Sequence, residues 1–139
     1  MRPPRFQDFV LDLVKNTPGV TRVQSLSEAG DTTHPFGLAI TTTAGEVRWQ
    51  IIGQLATGEK HDDPDTPVNG DPVPAEGGQQ DPGDQDPGDH EGWLYAALVR
   101  AESPEVAAIT RWSTREDAGK ARGLTLDFHN GARAFARRL

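Results

Sequence analysis

The sequence predicts an α+β fold made of a duplicated α-β-β-β unit. It implies six antiparallel strands, helices packed on one face, and a pseudo-two-fold axis between the copies. Three observations predict it. The first is that two stretches align. Phe9-Val10-Leu11-Asp12-Leu13-Val14-Lys15 lies over Leu94-Tyr95-Ala96-Ala97-Leu98-Val99-Arg100. One residue later, Thr17-Pro18-Gly19-Val20 lies over Ser103-Pro104-Glu105-Val106. With no further gap, Gly37-Leu38-Ala39-Ile40 lies over Gly123-Leu124-Thr125-Leu126, Gly45 over Gly131 and Trp49 over Phe135. The second is that each stretch passes from helical to alternating apolar spacing in the same order. The third is a shift in composition that divides the 139 residues into 1–56, a Pro/Gly/Asp-rich connector over 57–91, and 92–139. Units this small are marginal alone, so the two are expected to pack on each other.

In the first unit Phe6, Phe9, Val10, Leu13 and Val14 form one apolar stripe at helical spacing. Pro3-Pro4 suit the first turn of a helix, and Asn16-Thr17-Pro18-Gly19 ends it. Residues 20–26 are β-prone, and 28–35 read as a loop with a turn at Gly30-Asp31. Leu38 and Ile40 alternate with Ala39 and Thr41. After Ala44-Gly45, Val47, Trp49 and Ile51 alternate with Arg48 and Gln50. A two-residue turn there sets Ile40 opposite Trp49 and Leu38 opposite Ile51, all on one face. The second unit repeats the order. Trp93, Leu94, Tyr95, Leu98 and Val99 make the helix, Ser103-Pro104 breaks it, and 106–113 is the first strand. Leu124, Leu126 and Phe128 point inward, and Asn130-Gly131 makes a type I′ turn that returns Phe135 opposite Leu126. That register sends Ala132, Ala134 and Ala136 outward, a face of small residues suited to close approach by another chain. The element order resembles the front part of the double-stranded-RNA-binding domain, in order only, without that domain's lysine-rich second helix.

The net charge of −7 is unevenly spread. Residues 59–91 hold eleven acidic residues against Lys60 alone, so the remainder is mildly basic and the excess falls in 92–139. The connector has almost no large apolar side chains, and it repeats Gln80-Asp81-Pro82-Gly83-Asp84 as Gln85-Asp86-Pro87-Gly88-Asp89. It is expected to be extended and mobile, because it buries too little to offset an ordering cost of ~1–2 kcal/mol per residue. Folding back on Arg111, Arg115, Lys120, Arg122, Arg133, Arg137 and Arg138 is a second possibility. Asp62, Asp63, Asp65 and the Asp81/Asp84/Asp86/Asp89 series are hard oxygen donors, but their spacing fits no calcium loop.

Other chemistry is sparse. The absence of cysteine excludes disulfides, a thiolate nucleophile and Cys-based zinc sites. The start Met1-Arg2-Pro3-Pro4-Arg5 lacks a signal-peptide apolar run, and no stretch matches a membrane span. An acidic-x-Lys pair beside an aspartate is the metal arrangement of many nucleases. Glu46-Val47-Arg48 instead offers an arginine, with Thr41 and Thr43 on the neighbouring strand. Asp127 and His129 are two residues apart on the second hairpin without a third ligand. No cofactor site and no metal site are expected. Trp49 and Trp112 belong to the core, and Trp93 is a candidate contact residue.

By elimination the expectation is a non-catalytic protein–protein interaction or assembly component, with a protein partner or as a homo-oligomer. Candidate contacts are Trp93, Ala132, Ala134, Ala136, Arg133, Arg137 and Arg138. Nucleic-acid binding through the basic second unit is the alternative, and a metal-dependent enzyme a further one. Arginine exceeding lysine, with abundant Ala, Gly, Asp and Pro, has the flavour of high-GC bacteria and their phages. A phage-particle or mobile-element component is thus one concrete version, placed in the cytoplasm or the virion.

Overall fold

The computed structural model describes residues 1–43, 45–60, 62–73, 89–114, 119 and 121–139. Helix α1 (Pro3–Lys15) begins with Pro3 and Pro4, whose missing N–H groups have no intrahelical partner to lose at that position. Phe6, Val10 and Val14 form its buried stripe. At its end the Asn16 amide and the Thr17 hydroxyl donate to the carbonyls of Asp12 and Leu13, and Pro18 follows. Helix α2 (His90–Arg100) begins two residues inside the expected connector, capped by Asp89, which accepts from the Gly92 amide at 2.9 Å.

Six strands form one antiparallel sheet: β1 (Val20–Ser25), β2 (Gly37–Thr42), β3 (Gly45–Gln54), β4 (Val106–Arg111), β5 (Gly123–Phe128) and β6 (Arg133–Arg138). Their order is β1-β2-β3-β6-β5-β4, so β3 and β6 meet at the centre. The fold is therefore α+β, with a six-stranded antiparallel sheet and two helices. Both helices cover the same face. Phe6, Val10, Val14, Leu94 and Leu98 share a core with Leu38, Ile40, Trp49, Ile51, Leu124, Leu126 and Phe128. The Phe6 ring meets Phe128 edge-on at 6.2 Å, which ties the first helix to the fifth strand.

The first hairpin pairs Leu38 with Trp49 and Ile40 with Val47, one pair along from the expected register. A slip of two positions preserves side-chain facing, so Leu38, Ile40, Trp49 and Ile51 are all buried as anticipated. The second hairpin slips by one, and one position inverts a strand. Leu126 pairs with Ala134, and Phe135 with Thr125. The connection is the three-residue loop His129-Asn130-Gly131. The Phe128 amide donates to the Ala132 carbonyl, and Gly131 takes φ +88°, the left-handed geometry such loops require. Ala132, Ala134 and Ala136 consequently face the helices, with at most 5% exposure. The expected outward face of small residues is instead an inner face. Small side chains there let the helical layer approach the sheet.

Several details recur in both halves. The register shifts between Val20 and Arg22 in β1 and between Val106 and Ala108 in β4. The Gly37 amide donates to Gln7 Oε1 of α1, and the Gly123 amide to Glu91 Oε2 of α2. A Cβ on Gly37 would lie 2.2 Å from the Trp49 carbonyl oxygen, and one on Gly123 would lie 2.5 Å from that of Ala136. Each helix buries an apolar stripe in the shared core, Phe6, Val10 and Val14 in α1 and Leu94 and Leu98 in α2.

Residues 57–60 and 62–73, within the expected free connector, lie along the domain. Glu59 pairs with Arg2, and Asp65 pairs with Arg5 at 2.8 Å. Arg5 also grips Glu105 through two hydrogen bonds of 2.9 and 2.5 Å. Farther on, the Gly70 amide donates to the Pro104 carbonyl, Asn130 donates to the Thr66 carbonyl, and His129 Nε2 bonds the Asp71 carbonyl. These contacts compensate for the poverty of apolar side chains. Residues 74–88, including the tandem repeat, lie outside the described residues. Among the described residues no helix is long and apolar enough to cross a membrane.

Candidate functional site

The uncovered face of the sheet carries the side chains that alternate with the core. At its centre Ile52, 41% exposed, pairs across strands with Phe135, which is half-buried. Arg133 and Arg137 flank Phe135 on β6, and Arg48 and Gln50 precede Ile52 on β3. Arg133 pairs with Asp127 and Arg48 with Glu46, both at 2.6 Å and substantially exposed. No carboxylate lies within ion-pair distance of Arg137 among the described residues.

On the helix-covered side, at the start of α2, lies a buried carboxylate. Glu91, 1% exposed, sits in the first turn of α2. Its Oε1 accepts from Arg111 Nε at 2.9 Å and from the Ser113 hydroxyl. Its Oε2 accepts from the backbone amides of Ser113 at 3.2 Å and Gly123 at 3.0 Å. Arg111 extends the network to Asp89 with two further bonds of 2.9 and 3.0 Å. Burial alone would raise the Glu91 pKa, but hydrogen bonds from Ser113, Arg111 and Gly123 outweigh it and hold the carboxyl below its ordinary value. Asp89 is likewise lowered: burial opposes this, and the Gly92 amide and Arg111 prevail. Glu91 was expected in the connector, yet it fixes where β4 ends and β5 begins.

Beside this network lies a cleft of about 310 Å³ lined by Trp112, Ala121, Arg122, Arg137, Arg138 and Leu139. Its backbone frame is set by the β5/β6 ladder. Gly123 pairs with Arg137, and the Arg138 amide donates to the Arg122 carbonyl at 3.1 Å. The Trp112 indole N–H donates to the Thr125 hydroxyl at 2.9 Å, which seats the ring over Gly123. Trp112 is therefore half-buried at the edge of the open face. His90, on the first turn of α2, titrates below its ordinary value, first through burial and then through Arg138.

Of the expected contact residues, Arg137 and Arg138 line this cleft, whereas Arg133 lies along the open face paired with Asp127. Trp93 packs half-buried against the core, and Ala132, Ala134 and Ala136 are inside it. Asp127 and His129 are engaged apart, with Arg133 and with the Asp71 carbonyl. Among the described residues no three His, Asp or Glu side chains converge on a metal position. Of the possible calcium donors, Asp63 accepts from the Lys60 amide and Asp65 from Arg5. Asp81, Asp84 and Asp86 lie outside the described residues, as do Arg115 and Lys120. Of the cations expected to meet the acidic stretch, Arg111 does so through Asp89. Comparison with protein-family models, curated proteins and solved structures finds no match for this chain.

Proposed function

We propose that this domain is a non-catalytic binding module that seats an acidic protein partner on the open face of its sheet. The observation that carries the reading is the cross-strand pair Ile52 and Phe135, apolar and accessible at the centre of a face whose other layer is missing. Arg22, Arg48, Arg133 and Arg137 on that face outnumber Glu46 and Asp127, so its charge complements an acidic surface. An assembly role suits the same geometry, since an open sheet face offers a broad contact rather than an enclosed reaction chamber. Duplication of an α-β-β-β unit, with a pseudo-two-fold axis near Gln50 and Arg137, belongs to the same proposal. The matched strand irregularities and the matched glycine amides capped from each helix support it.

Affinity capture from the native source, followed by titration of the purified partner, tests the reading. Ile52→Asp with Phe135→Ser should weaken that binding at least about tenfold. Asp12→Ala, on the exposed side of α1, should leave it unchanged. Equal affinity for the open-face variant and the wild type overturns the proposal. A nucleic-acid gel shift that weakens with salt and vanishes on changing Arg133 and Arg137 to Gln would replace it with the nucleic-acid alternative. A self-association removed by Ile52→Asp would make the partner a second copy instead.

A further inference from the structure

Strand β1 is one of the two edges of the sheet, and it runs beside the flank of α1 that the core does not use. Phe6, Val10 and Val14 turn inward, which leaves Asp8, Leu11, Asp12 and Lys15 as a second stripe at helical spacing. That stripe, with Val23 of β1 and Glu28 beyond it, lines a groove of about 280 Å³ open to solvent. Val23 pairs with the buried Ile40, so its side chain lies on the helix-covered side and joins Leu11 as a half-buried apolar floor. The backbone phase of β1 follows from one bond, in which the Leu26 amide donates to the Gly37 carbonyl at 3.1 Å. Antiparallel ladders alternate, so Gln24 also turns its amide and carbonyl toward β2, whereas Val23 turns both away from the sheet. Among the described residues no group bonds that outward pair. Gln7 accepts from the Gly37 amide at 2.9 Å, which sets this level of α1 beside the end of β1. Asp8 and Glu28 therefore stand at that end of the groove, and Asp12 with Lys15 at the other. Glu28 is held in place by the Ser25 hydroxyl, which donates to its Oε1 at 3.1 Å.

We propose that this groove takes an extended basic segment of another protein, which adds to β1 as a further strand. Main-chain bonds to Val23 supply the grip, and alternate side chains read the groove. In an antiparallel addition, the sense of the whole sheet, the residue opposite Val23 lays an apolar side chain on Leu11 and Val23. The residue two positions before it reaches the Asp8 and Glu28 end, where the two carboxylates favour a lysine or arginine. The side chain between them points to the other face. The occupant's pattern is thus basic, any residue, apolar. The register shift between Val20 and Arg22 interrupts the ladder, which keeps the added strand short and guards against open-ended stacking of sheets. The site lies on the opposite side of the sheet from Ile52 and Phe135 and does not depend on the reading of that face.

The test titrates the full chain with short capped peptides, followed by calorimetry and by amide NMR. The probe carries valine at its centre, arginine two positions earlier and threonine elsewhere. Saturable one-to-one binding with a Kd between ~10 μM and ~1 mM is expected. At saturation the Val23 amide should exchange at least about tenfold more slowly than in the free protein. Glutamate in place of the arginine should weaken binding at least about fivefold, and so should Asp8→Asn with Glu28→Gln. N-methylation of the central valine removes its donor while keeping charge and side chain, and should weaken binding at least about tenfold. Thermal unfolding verifies that the variant is folded. Absence of saturable binding up to ~5 mM overturns the proposal. Equal affinity for the N-methylated peptide overturns strand addition, and equal affinity for the glutamate peptide or the folded variant overturns the basic assignment. Self-association that protects the Val23 amide without peptide overturns it as well, by making a second copy the occupant.

Discussion

Replacing Glu91 by alanine should be among the most damaging single substitutions outside the apolar core. The carboxylate is 1% exposed and serves four donors. Its removal leaves Arg111 bonded to Asp89, and strands the amides of Ser113, just after β4, and of Gly123, at the start of β5. Breaking one side of a buried ion pair costs ~3–5 kcal/mol, the range also expected from two unsatisfied amides at ~1–3 kcal/mol each. For 139 residues an unfolding entropy of ~2.1 cal/mol/K per residue converts that loss to a drop of ~10–17 °C in Tm. Glu91→Gln should recover less than half, because its NH2 would face another donor. Glu46→Ala breaks an exposed pair and should change stability by less than about 1 kcal/mol. The pH dependence carries a definite sign. The folded-state pKa of Glu91 is depressed, so its contribution is present above the unfolded carboxyl pKa and is lost as pH falls through the folded value. Urea unfolding at neutral pH and at successively lower pH should show a steeper acid loss in the wild type than in Glu91→Ala. Stability of Glu91→Ala within about 0.5 kcal/mol of wild type at neutral pH would refute the reasoning.

Three more expectations can be checked separately. Ala134→Leu should destabilise by ~1–3 kcal/mol in denaturant titration, since Ala134 is fully buried against the helical layer; an outward residue would tolerate leucine. Gly37→Ala should destabilise by at least ~1–3 kcal/mol, because the new Cβ would lie 2.2 Å from a backbone oxygen and 2.3 Å from Leu26 Cδ1. Carbon-detected NMR titration should find the Asp31 carboxyl deprotonating at about 2, held down first by the His34 side chain and then by the His34 and Thr33 amides; a midpoint near the ordinary aspartate value would remove that turn from the account.

The elements themselves were legible because period and punctuation agreed. Phe6, Val10 and Val14 announce one helix face, and the alternation through Leu38, Ile40, Trp49 and Ile51 announces a hairpin with one face buried. The last strand was misread from a single choice at His129-Asn130-Gly131. A two-residue turn at Asn130-Gly131 is a strong local preference, yet the three-residue loop won because it buries three alanines and leaves Arg133 and Arg137 on the open face. A signal for this was present: Arg133 and Arg137 share a face with Phe135, and burying Phe135 on that register would have taken two guanidiniums with it. Glu91 was hidden for a different reason. Its neighbours in sequence are acidic and Gly-rich, so it reads as part of the connector, while its partners Arg111, Ser113 and Gly123 are brought to it by the tertiary fold alone. The cleft was half visible. Arg137 and Arg138 stood out by charge, but that their strand end lies beside Arg122 depends on strand register.

The central pairing of β3 with β6 has a consequence for how the chain is made. Gln54 is joined to Arg133 and Trp49 to Arg138 across most of the molecule's length. A chain emerging from the ribosome completes β1, β2 and β3 long before β6 exists, and during that interval β3 is an unsatisfied edge bearing Ile51 and Ile52. Translation speed and the availability of holding factors therefore bear on yield alongside the finished domain's stability. Nascent chains stalled before Arg133 should be cut readily within β3 by protease, and chains released after Arg138 should resist.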